Sequence, residues 1–158
     1  MPARRGAGVN VPTVADLQRR SPRSLRLFLD RQGLRGGPFR EVFDPDEILV
    51  LPIGALASGR VLARAQQPVG RLILRQGVID DRFLRAWICG DDSASGGEFL
   101  ELSLEDADDE VRARWYLDDV RVLEVADRRR RDEDDPRFDY LLLQVRLVGL
   151  SGGDRLDL

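Results

Sequence analysis

Histidine and lysine are both absent from this chain of 158 residues, and cysteine and methionine occur once each. The lack of histidine removes the commonest general base and the commonest metal ligand together. Cys89 has no second cysteine to pair with. Its place beside the apolar stripe of a predicted helix reads as a buried, inert thiol rather than a nucleophile. No stretch approaches the ~20 apolar residues that a spanning helix needs, and the early arginines are not followed by the apolar run of a secretory signal. The expectation is a protein made and assembled in the cytoplasm, with no membrane segment of its own. If it acts outside the cell, it leaves as part of something larger.

The residues for chemistry are missing as well. No serine stands in a nucleophile-elbow context, and no glycine loop leads into a helix as a phosphate cradle would. The acidic run Glu105–Glu110 lacks the glycine and the distant glutamate of a calcium loop. Nothing supplies an aromatic-lined cleft around two separated carboxylates. The chain therefore reads as no enzyme, with no cofactor and no metal site.

Charge is plentiful but balanced: 34% of residues are charged and the net charge is −3, which argues against a general nucleic-acid binder. All 25 basic residues are arginine, read first as codon bias and second as a supply of planar, bidentate ion pairs. The run Arg128–Arg131 is followed at once by Asp132, Glu133, Asp134 and Asp135, so it reads as a self-compensated loop.

Residues 1–24 carry five arginines against one aspartate, with three prolines and no period, and form an N-terminal arm. Residues 25–158 read as one domain, long enough to bury about 68–70% of its unfolded surface. Leu25, Leu27 and Leu29 alternate with Arg26 and Phe28 as a first strand, and RQGLRGGPF after them reads as turn chemistry. The segment from Arg40 to Ala65 is apolar without a clean period. In it, Leu51, Pro52, Ile53 and Leu56 are the candidate inter-subunit contact. Leu72 and Leu74 then share one side of a strand, with Arg71, Ile73 and Arg75 on the other, and Gly77 is expected to stop it. Asp80 and Asp81 suit a helix start. Phe83, Leu84, Trp87 and Ile88 make an apolar stripe facing away from Arg82 and Arg85. Further on, Leu100, Leu102 and Leu104 oppose Glu101, Ser103 and Glu105. Val111, Ala113, Trp115 and Leu117 likewise oppose Arg112, Arg114 and Tyr116, giving one dry and one wet face. The expected fold is mainly β: two packed antiparallel sheets in a barrel-like sandwich, with one flanking helix over about 80–89.

The order of pieces in LILRQGVIDDRFLRAWI, an alternating strand, a basic residue near a glycine, then aspartate, an aromatic and a tryptophan, resembles the centre of tail tube proteins. These build the inner tubes of contractile phages and extracellular contractile injection systems. FLELSLEDADDEVRARWYLDDVRVLEV is similar to the family's hairpin with its acidic turn, and YLLLQVRLVGL sits where its last strand is expected. The resemblance covers roughly residues 70–150. It implies a structural subunit, six copies closing into a homo-hexameric ring with sheets joining edge to edge, and rings stacking into a tube through which cargo passes. Glu101, Ser103, Arg112 and Arg114 are the candidate lumen-facing residues, and Arg82 and Arg85 the candidate outer, sheath-facing ones. The implied partners are further copies of the chain, sheath and baseplate or spike proteins, and effector cargo. The implied place is a phage tail-like particle that can be released. The middle segment departs from the family's glycine-rich, tyrosine-containing pattern. A specialised ring of the same machine, a tube initiator or terminator, therefore stays open. So does a free-standing β-barrel adaptor or chaperone that binds a protein through Leu51 to Leu56.

Overall fold

The computed structural model describes residues 14, 25–50, 60–128 and 135–152. The strands are β1 (Arg26–Arg31), β2 (Leu34–Phe39), β3 (Glu41–Phe43), β4 (Arg60–Val61), β5 (Val69–Val78), β6 (Glu98–Glu105), β7 (Val111–Asp127) and β8 (Arg137–Gly152). One α-helix, α1 (Arg82–Cys89), follows β5. The expected mainly β, barrel-like fold with a flanking helix is the fold observed. Its two sheets are two halves of one curled antiparallel sheet, ordered β2-β1-β6-β7-β8-β5-β3, with β4 on β8 beyond the start of β5.

Alternation sets the inside and the outside. Leu27, Leu29, Leu72, Leu74, Leu100, Leu102, Leu104, Trp115, Leu117, Leu141, Leu143 and Val145 all point into one continuous core. The long strands β7 and β8 stay paired while turning, because their register shifts at four places and Asp119 takes a φ of 48°. Each shift adds bend and twist. Val14 of the arm is buried in the same core; the rest of residues 1–24 lies outside the described residues.

The two ends of the sheet order belong to one run of chain. β2 pairs with β1 through Leu27 and Phe39, a bend follows at Arg40, and β3 pairs with β5 through Val42 and Leu74. The Arg40 N–H donates to the carbonyl of Arg75 at 3.0 Å, so residues 34–43 clasp the curled sheet shut. Only the first part of RQGLRGGPF is therefore a turn: Gln32 and Gly33, with φ of 52° and 81°, make it, and Leu34–Phe39 is strand. Nor does Gly77 stop β5, which runs on to Val78. A Cβ at Gly77 would lie 2.3 Å from the ring of buried Phe39, so the glycine is there to let the clasp cross the strand.

Each end of the barrel is covered. The Asp44 carboxylate accepts from the N–H groups of Ile48 and Leu49, both at 2.8 Å, and turns these two buried side chains into the core. Burial pushes the Asp44 carboxyl above its ordinary range, against the pull of these two donors. The Trp115 indole N–H donates to the Val50 carbonyl at 2.7 Å and ties this turn to β7. At the other end lies α1. Asp81 caps it, accepting from Phe83 and Leu84 N–H groups at 2.9 Å.

Candidate interaction surface

The exterior over β1, β6 and the first half of β7 is a ladder of ion pairs. Register sets Phe28, Ser103 and Arg114 in one cross-strand row, and Asp30, Glu101 and Tyr116 in the next. Arg114 reaches Glu101 at 3.8 Å, and Arg112 reaches Asp106 at 2.6 Å. Arg35, from β2, pairs with Glu105 at 2.6 Å and Asp30 at 3.2 Å, and stacks on Phe28. Arg26 pairs with Asp109.

The four candidate lumen residues thus share this exterior, but they are not equally wet. Glu101, Arg112 and Arg114 are half-buried, whereas Ser103 is 1% exposed and Glu105 is also buried. Arg35, sent across from the neighbouring strand, covers both; its guanidinium lies 3.4 Å from the Ser103 hydroxyl. The acidic turn has a local task. Asp106 accepts from the N–H groups of Asp108 and Glu110 and from Arg112, and these donors, Glu110 first, hold its carboxyl below the usual range. Among the described residues, no group of three histidine, cysteine, aspartate or glutamate side chains is placed to hold a metal ion.

The exterior over β3, β5, β8 and the second half of β7 is built differently. Phe43, Ile73, Leu142 and Glu124 form one cross-strand row, and Glu41, Arg75 and Tyr140 the row beside it. Phe43, Ile73, Arg75, Glu124, Tyr140 and Leu142 line an open groove of about 420 Å³. Phe43 is 55% exposed. The Tyr140 phenol is hydrogen-bonded to Glu124, which holds its proton more tightly than usual. Arg75 has no ion-pair partner among the described residues. Reading the sequence singled out Ile73 only as a position on the outer side of its strand. An isoleucine between Arg71 and Arg75 was the available signal, and Phe43 and Leu142 carry the same signal on their own strands.

The helix corrects three expectations. Arg85 does not face outward: it is 3% exposed. Its guanidinium donates to the carbonyls of Ile79, Asp135 and Pro136 at 2.9, 3.0 and 3.2 Å, meets Asp127 at 2.5 Å and lies over the Phe138 ring. Carbonyls gather where β5 ends and β8 begins, that of Pro136 also accepting from the Ile79 N–H at 2.9 Å, and a buried arginine supplies several donors at once. Phe83 moves the other way. It leaves the expected apolar stripe and is 62% exposed, with the Arg82 guanidinium 4.9 Å from its ring centroid. Arg82 is exposed, as expected. Cys89 is exposed rather than buried, with its sulfur 3.6 Å from Asp127. Leu51, Pro52, Ile53 and Leu56 lie outside the described residues.

The two halves of the exterior differ in what they present among the described residues. One half offers charges paired with each other; the other, besides the pairs Arg128–Asp139 and Arg137–Asp135, offers apolar side chains, the Arg75 guanidinium without an ion-pair partner among the described residues, and the hydrogen-bonded Glu124 carboxylate. Among the described residues no helix is long and apolar enough to cross a membrane. No protein-family model matches the chain, and comparison with curated proteins and with solved structures finds no match.

Proposed function

We propose that this chain is a structural subunit of the inner tube of a contractile injection system or phage tail, closing into rings of six through which cargo passes. One observation carries the reading. Apart from Gly77, which lies inside β5 instead of after it, the segments quoted for the tail tube resemblance follow one another as strand, helix, hairpin and last strand. The alternating segment is β5, Asp81 caps α1 and Trp87 lies within it, the acidic turn joins β6 to β7, and Gly149 and Leu150 lie near the end of β8. Because residues 34–43 clasp the sheet within the chain, copies in such a ring meet through the faces of their barrels more than along free edges. The ladder half, with Glu101, Arg112 and Arg114, is the face assigned to the lumen. Charges paired at home leave little for cargo to grip. Sheath, baseplate and spike proteins of the same particle are the further partners.

Mass photometry of the purified full chain, followed by negative-stain images of the same sample, tests this. Closed hexameric rings or stacked tubes are expected. A chain that stays monomeric at high concentration, alone and with tube and baseplate partners added, overturns it and favours the protein-binding adaptor.

A further inference from the structure

We infer that the exposed Phe83 at the start of α1 seats in the Phe43–Ile73–Leu142 groove of a second copy of this chain, with Asp80 and Arg82 meeting Arg75 and Glu124. The inference rests on the ring reading above and gives it a contact.

The groove and the knob lie on different parts of one molecule. Phe83 is not among the residues that line the groove, and the groove of about 420 Å³ has room for an aromatic ring and part of a neighbour. Phe83 is 62% exposed, so seating the ring removes about 90–160 Å² of it from water, that share of what full burial of an aromatic covers. Two different patches that fit each other make a heterologous contact, the type that closes into rings or runs on into filaments.

Charge chooses Phe83 over Phe99, the other exposed phenylalanine outside the groove among the described residues. Asp80 and Arg82 flank it, both exposed, and neither has an ion-pair partner among the described residues. The groove carries the opposite set, Arg75 and Glu124. Phe99 is a poorer knob, since it stacks on Tyr116 and its neighbours Glu98 and Glu101 already hold Arg31 and Arg114. Asp81 takes no part, because its carboxylate is occupied in capping α1.

The experiment uses the full chain, with sedimentation velocity and mass photometry over a dilution series, and a thermal melt to show that each variant folds. Phe83→Asp and Ile73→Asp are each expected to weaken association by about 100-fold. Mixing the two gives the sharpest result. Each variant keeps the half that the other lost, so the mixture forms one-to-one dimers and no closed rings. Arg82→Glu and Glu124→Arg, each weakening association by about tenfold alone, recover to within about threefold when combined. Rings that persist in Phe83→Asp at wild-type concentrations, or a mixture without the dimer, overturn this contact and leave the ring reading standing. A wild-type chain that forms no ring overturns both.

Discussion

The two halves of the barrel exterior come from the same alternation of residues, yet one matches its charges within the barrel and the other leaves apolar side chains and the Arg75 guanidinium exposed. Over β1, β6 and the first half of β7, each arginine that reaches out finds an acid of its own barrel: Arg35 finds Glu105 and Asp30, Arg112 finds Asp106, Arg114 finds Glu101. Over β3, β5 and β8, Arg75 finds none among the described residues and sits beside an apolar row. Surface ion pairs contribute little to stability one at a time, but they satisfy the groups that would otherwise recruit something else. The lesson is that charge density does not mark a binding face; unmatched charge next to apolar surface does.

Breaking the frame on which both halves rest has the largest effect. Arg85→Leu removes a donor from each of three carbonyls and a charge partner from Asp127 at the shared end of the barrel. Chemical denaturation should register a loss of about 3–5 kcal/mol. A ladder variant comes next: Arg35→Ala leaves the buried Glu105 carboxylate without its guanidinium, for a loss of about 2 kcal/mol. The groove gives the contrast, since Phe43→Ser should change monomer stability by less than about 0.5 kcal/mol while lowering any self-association. Equal losses for Arg35→Ala and Phe43→Ser would break the comparison.

A pH series sharpens it further. Arg137 holds the Asp135 carboxyl at about 2, below its ordinary 3.8, through a side-chain ion pair and a backbone hydrogen bond. A carboxyl depressed on folding adds stability that is present in full above the ordinary range and is lost as pH falls from about 4 towards 2. Thermal melts between pH 5 and 2 should show that part of the acid slope shrink in Arg137→Ala. Asp44 works in the opposite sense. Its carboxyl is raised by burial, so its charged form counts against the fold as pH rises past that raised value.

Much of this barrel can be read without coordinates. The strict alternation of Leu100 to Leu104 and of Ala113 to Leu117 predicts which side is dry, and Asp81 before an apolar stripe predicts the cap. The misreadings have physical causes. LRGGPF reads as a turn because glycine and proline usually make one, yet here the glycines leave room for neighbours: a Cβ at Gly36 would lie 3.0 Å from Ile79. On a helical wheel Arg85 belongs to the polar side. The carbonyls that draw it in come from Ile79 and from residues 135–136, far along the chain, and no local pattern reports them. The groove was hidden for the same reason. Phe43, Ile73 and Leu142 are apolar residues on the outer sides of three strands, and only strand register makes them neighbours.

The clasp formed by residues 34–43 also joins contacts of two ranges. Its β1–β2 half is a local hairpin turned by Gln32 and Gly33, whereas its β3–β5 half, like the pairings of Leu27 with Leu104 and Val69 with Arg146, joins distant parts of the chain. Chains dominated by such non-local pairs fold over roughly milliseconds to seconds. The Arg40 amide proton, held by the Arg75 carbonyl where the two ranges meet, is therefore the one whose hydrogen exchange reports the two ends of the sheet parting.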